Sequence, residues 1–149
     1  MTTLQTRSAE QAELEQLVHS FFEAVSFEHG SKPNYPRIHQ LFIDDGLLIK
    51  NSGALPEITT PGAFIEPRQA SVDAGDLTRF FEAELSGLTQ VFGNVAHRLS
   101  AYEKSGELKG AAFQAKGMVS TQFIRTPEGW RISSMAWDDE RPGLARDHV

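Results

Sequence analysis

Hydrophobic positions near the start of the chain recur at helical spacing. Leu14, Leu17, Val18, Phe21, Phe22 and Val25 fall on one stripe, which predicts an amphipathic helix starting at Ser8 and stopping near Gly30. Gln11 lies three residues beyond Ser8, the capping-box interval. After a linker over 31–34, Pro36 suits the first turn of a short second helix whose buried side is Ile38, Leu41 and Phe42. Asp44-Asp45-Gly46 reads as its terminating turn and 47–51 as a short strand. Residues 52–67 hold Pro56, Pro61 and Pro67 among glycines. They are expected to form a loop over a pocket mouth with an edge strand at 64–66, where proline is tolerated. Leu77, Phe80, Phe81 and Leu85 return to helical spacing and predict a third helix, capped by Asp73 or Asp76 and closed by Gly87.

From Val91 the period changes to two. Three long strands are expected, over 91–104, about 111–125 and 130–138, with turns at Ser105-Gly106-Glu107 and across 126–129. Alternation sets Val95, His97, Leu99 and Ala101 on one face of the first strand. It groups Phe113, Ala115, Gly117, Val119, Thr121 and Phe123 on the second, and Trp130, Ile132, Ser134, Ala136 and Asp138 on the third. These more apolar faces are expected to meet the helices. The opposite faces still carry Tyr102, Met118, Met135 and Trp137, too apolar to be wholly solvated, so a homodimer through that outer face is expected. The pattern predicts one α+β domain over 1–149, with its core at about 8–141. Its shape is a cone, with three helices packed on a strongly curved, mainly antiparallel sheet.

Composition narrows the partners. The 149 residues are 40% hydrophobic and 23% charged, with a net charge of −6. No run of Lys or Arg is present, which argues against nucleic acid or an anionic membrane. No apolar stretch reaches membrane-spanning length, and the first residues lack the apolar core of a signal peptide. The absence of cysteine removes disulfides, thiol catalysis and zinc–thiolate sites together. A cytoplasmic protein is the default reading. No nucleotide-binding glycine signature occurs, and no cofactor is expected.

The order of elements, with the segments Val95-Ala96-His97-Arg98-Leu99-Ser100-Ala101-Tyr102-Glu103 and Glu128-Gly129-Trp130-Arg131-Ile132-Ser133-Ser134-Met135-Ala136-Trp137, resembles the nuclear transport factor 2-like superfamily over nearly the whole chain. Within it the sequence is most similar to the SnoaL-like and uncharacterised bacterial branch. The resemblance implies a pocket between sheet and helices and frequent homodimers. It does not choose among isomerases, dehydratases, cyclases, hydrolases and non-enzymatic binders. The ketosteroid-isomerase branch carries a carboxylate at the end of the first strand, where this chain has Ile49-Lys50-Asn51, and a tyrosine on the first helix, where it has Phe21 and Phe22. Its second acid falls near Ser120 or Thr121. That steroid chemistry is unsupported.

Candidate chemistry centres on His97, which alternation places on the pocket face as a general base or as a hydrogen-bonded wall residue. Asp138 continues an inward face and would partner His97 in an acid–base dyad, or simply end a strand in solvent. Tyr35 and His39 sit four residues apart at the second helix, which lines the pocket in the resembled family; either donates to a ligand or stays at the surface. The expected walls are Phe22, Val25, Phe42, Val95, Leu99, Phe113, Ile132 and Ser134. The histidines show no ligand-like spacing, so no metal is expected. Two functions stay open. One is a binder of a small hydrophobic molecule. The other is a lyase, isomerase or cyclase that uses His97 as base and Tyr35 as a hydrogen-bond donor.

Overall fold

In the computed structural model, which describes residues 2–145 with side chains from residue 9 onward, the first helix carries the stripe that periodicity predicts. Leu14, Val18, Phe21, Phe22 and Val25 of α1 (Thr2–Val25) are buried against the sheet. Burying each such side chain contributes roughly 1.5–3 kcal/mol, so this face anchors the helix. The helix passes through Ser8, which is therefore interior to it and not its cap. A 3-10 turn over Tyr35–Arg37 and α2 (Ile38–Leu41) follow, burying Tyr35, Ile38 and Leu41.

One six-stranded sheet forms from β1 (Phe42–Lys50), β2 (Glu57–Thr59), β3 (Leu77–Phe92), β4 (Val95–Leu108), β5 (Ala111–Thr126) and β6 (Gly129–Asp139). Its order is β2-β1-β6-β5-β4-β3, antiparallel throughout except for the parallel β1–β6 pair. Strand β1 starts at Phe42, so Asp44-Asp45-Gly46 is not a turn. Those residues are taken up where the register against β6 shifts between Phe42 and Leu47.

The third helix lies where the loop is expected, and a strand lies where the helix is expected. Residues 61–73 form α3 (Pro61–Asp73). Thr60 caps it by accepting from the Ala63 amide at 3.2 Å, and Pro61 occupies the first turn, where its missing N–H costs nothing. The edge strand is β2, not 64–66. Leu77 to Leu85, which has helical spacing, is strand β3. Register shifts between Leu77 and Arg79 and between Glu84 and Ser86 break its alternation and counterfeit a helical stripe.

Two further departures decide where side chains point. On β4 the inner face is Ala96, Arg98, Ser100 and Tyr102, all buried, while Val95, His97 and Leu99 are exposed on the outer face. The apolar-inward rule fails because the inner face buries an ion pair, described below. On β6, Trp130 and Ile132 are buried as expected. An extra residue then shifts the register, Phe123 facing Ile132 but Gln122 facing Ser134. Beyond that bulge Met135 is buried and, with Trp137 and Asp139, lines the interior, so Ser134, Ala136 and Asp138 fall on the outer face. Tyr102, Met135 and Trp137 are therefore interior residues, and of the four named for the outer surface only Met118 lies there. The inward set of β5 is as expected. The β4–β5 turn is Lys109-Gly110, both at positive φ (51° and 79°), as a two-residue hairpin requires, and β4 runs straight through Ser105-Gly106-Glu107. Among the described residues no helix is long and apolar enough to cross a membrane.

Candidate functional site

Helices α1 and α3 and the inner face of the sheet enclose a cavity of about 400 Å³. That volume is in the range of small-molecule sites. Phe21, Phe22 and Val25 form its α1 wall, Phe64 its α3 wall, and Phe80, Phe113, Val119, Met135 and Trp137 its sheet side. Into this apolar space project Tyr35, Lys50, Arg68, Glu82, Tyr102, Lys104 and Asp139.

The polar groups are fixed by strand register. Tyr102 and Asp139 both pair across β5 with Gly117. A Cβ at residue 117 would run into the Tyr102 ring and hydroxyl, so glycine there is what admits the phenol. The Tyr102 hydroxyl donates to Asp139 Oδ1 at 2.5 Å and to the Asp138 carbonyl at 3.1 Å. Burial, with the hydrogen bond and charge of Asp139, pushes the phenol well above its usual range, so it stays protonated. Lys104 Nζ lies 3.2 Å from the same Asp139 oxygen. Beside Lys104 on the next strand is Glu82, whose carboxyl has no hydrogen-bond partner among the described residues. Burial raises its pKa from 4.5 to about 7; Lys104 and then Arg68 pull it down, and Asp139 adds to the rise. Arg68 lies over the Phe64 ring, 3.6 Å from its centroid, and donates Nη1–H to the Phe64 carbonyl at 2.9 Å. Burial lowers its pKa, as it raises that of the nearby Tyr35 phenol.

A second polar cluster occupies the same sheet face between β3, β4 and α1. Arg98 donates to Glu84 through Nε at 2.8 Å and Nη2 at 2.6 Å, and to Thr89 Oγ1 at 2.6 Å. Ser100 Oγ donates to Glu84 at 2.6 Å, and His19 Nε2 lies 3.1 Å from it. Glu15, His19 and Glu84 bring three ligand-type atoms within 4.8 Å of one another, but Arg98 Nη2, 2.6 Å from Glu84 and 3.6 Å from Glu15, already serves as the cation there.

Of the sequence-derived candidates, Tyr35, Phe22, Val25 and Phe113 line the cavity. Phe42 and Ile132 are core residues outside it. Val95 and Leu99 are exposed on the outer face, Ser134 is on that face too, and His39 is exposed on α2. His97 is exposed, with Nε2 2.6 Å from Gln90 Oε1. Asp138 accepts from Arg141 Nη1 at 2.7 Å. The pairs His97–Gln122–Ser134 and Ala101–Met118–Asp138 set these two residues on strands separated by β5 and four positions apart, so no dyad forms. Sequence reasoning missed Lys50, Arg68, Glu82, Lys104 and Asp139. The one available signal was the alternation of Glu82 and Glu84 with Phe81, Ala83 and Leu85, which reads as a strand with a polar face.

No protein-family model matches the sequence, and no curated protein is similar to it. Solved structures match in shape. A nuclear transport factor 2-like superfamily protein from Salmonella enterica subsp. enterica serovar Typhimurium str. LT2 superposes at a TM-score of 0.75 and 16% identity, over 94% of this chain and 98% of its own. Kfla4162 from Kribbella flavida gives 0.73 at 15% identity, over 91% and 93%. The hexachlorocyclohexane dehydrochlorinase LinA-type3 from Novosphingobium barchaimii LL02 gives 0.73 at 14% identity, over 91% and 89%. The chain has the nuclear transport factor 2-like fold, an α+β cone shared with many bacterial proteins, among them dehydrochlorinases.

Proposed function

We propose that the protein binds a small, mainly apolar organic molecule in this cavity and that Glu82 exchanges a proton with it, as in lyase, isomerase or cyclase chemistry. One observation carries this reading. Glu82 is an unpartnered carboxyl on an apolar wall, with its pKa raised to about 7 by burial. Near neutral pH such a group populates both forms, so it can take a proton and give it back. Tyr35, whose phenol burial keeps protonated, is a hydrogen-bond donor at the same cavity, whereas the Tyr102 proton is already held by Asp139. Glu82 replaces His97 as the base, because His97 faces away from the cavity. The test is a thermal-shift screen of small organic acids, ketones and enones, followed by mass spectrometry of hits incubated with protein in deuterium oxide. Wild type is expected to wash deuterium into an acidic C–H position. Glu82→Gln is expected to bind the same hits without exchange. Hits that bind wild type but never exchange would reduce the protein to a binder.

We also propose a homodimer through the outer sheet face. The support is a patch in which Leu88 pairs with Leu99 and Phe92 with Val95, at 66, 38, 86 and 55% exposure. An exposed apolar patch on a sheet face suits a two-fold interface. Light scattering should give twice the chain mass, and Phe92→Glu with Leu88→Glu should return it to one; a wild-type monomer would refute the interface.

A further inference from the structure

We propose that the ligand of this cavity carries a single negative charge, typically a carboxylate, and that Arg68 and Lys50 receive it. The inference rests on the reading of the cavity as a small-molecule site and adds the ligand's chemical class. Five charged side chains line the cavity: Lys50, Arg68 and Lys104 against Glu82 and Asp139. Lys104 and Asp139 are paired with each other at 3.2 Å. Among the described residues no carboxylate comes within 4.0 Å of Lys50 or Arg68. Glu57 and Glu82 act on Arg68 only at longer range.

Arg68 is also preset for a planar anion. Stacking on Phe64 and the bond to the Phe64 carbonyl fix the guanidinium plane while using one of its donors. The remaining N–H groups match a carboxylate in fork geometry. The charge count fits a monoanion in the form in which Glu82 acts as base. With Glu82 ionised the lining has one cation in surplus, which one carboxylate neutralises; a second negative charge would then face the Glu82 carboxylate uncompensated. The apolar walls take the rest of the molecule.

The test measures affinities at pH 7.5 for 4-phenylbutyrate, naphthalene-2-carboxylate and cyclohexanecarboxylate, each against its primary amide. The neutral fluorophore N-phenyl-1-naphthylamine reports the cavity itself. At least one acid is expected to bind about tenfold or more tighter than its amide, the size of a charge-assisted hydrogen bond. Arg68→Gln and Lys50→Gln should each shrink the ratio of acid to amide affinity, which is read within each variant and so is independent of any change in fluorophore affinity; should Arg68→Gln fail to fold, Lys50→Gln and the salt dependence of the wild-type preference decide. Fluorophore binding with no acid preference, or a preference that the variants leave intact, overturns the anion site but not the cavity. If neither the fluorophore nor any acid binds, the small-molecule reading falls with it.

Discussion

Glu82 and Glu84 stand two residues apart on β3 and face the same side of the sheet. Glu84 is enclosed by Arg98, Ser100 and His19. Burial alone would raise its pKa, but hydrogen bonds from those three groups outweigh it and hold the carboxyl below its usual value. In the same pair Arg98 is raised, chiefly by its hydrogen bonds to Glu84. Glu82 is more strongly desolvated and has no such donors, and its pKa goes up to about 7. Position in the fold does not separate scaffold from site here. The separation lies in how far each carboxyl is desolvated and whether the protein itself supplies matching donors, which holds Glu84 ionised and leaves Glu82 without a hydrogen-bond partner.

Breaking the matched side should have the largest effect. Arg98→Ala leaves Glu84, 5% exposed, without its counter-ion and should destabilise the fold by about 3–5 kcal/mol, measured by urea unfolding. Glu84→Met with Arg98→Met should recover most of that loss. Glu82→Gln should act in the opposite direction. Its folded pKa lies above the ordinary 4.5, so ionisation opposes folding, and that penalty grows as pH rises from about 4.5 to about 7. The full shift corresponds to about 3 kcal/mol, reduced by water in the cavity. Glu82→Gln should therefore be more stable than wild type by about 1–3 kcal/mol at pH 8 and nearly equal at pH 4. Gly117→Ala forces a methyl against the Asp138 backbone carbonyl and the Tyr102 hydroxyl and should cost about 1–3 kcal/mol by urea unfolding. The smallest effect belongs to His97→Ala, an exposed outer-face change expected to stay within about 0.5 kcal/mol and to leave cavity binding unchanged.

The parts of the fold that follow simple periodicity were legible. The α1 stripe, the inward face of β5 and the first half of β6 obey 3.6 or 2 and bury apolar residues, and from them came Phe22, Val25 and Phe113 as walls. Bulges hid the rest. Two register shifts disguised β3 as a helix, and one on β6 exchanged Asp138 for Asp139 at the cavity. On β4 the apolar-inward rule chose the wrong face, because Arg98 is buried by pairing with a residue on a strand that had been read as a helix. His97 was then assigned to the interior in place of the side chains beside it. A site built from charged residues on an inner strand face is what a polarity pattern read in isolation conceals.

The most direct measurement is a carbon-13 NMR titration of the glutamate side-chain carboxyls, with Glu82 and Glu84 assigned by Glu82→Gln and Glu84→Gln. The account predicts that Glu82 titrates near pH 7 and Glu84 below the ordinary carboxylate range, so that between them lies a window in which one is ionised and the other still protonated. Glu82 titrating at an ordinary value near 4.5, together with its neighbours, would contradict it.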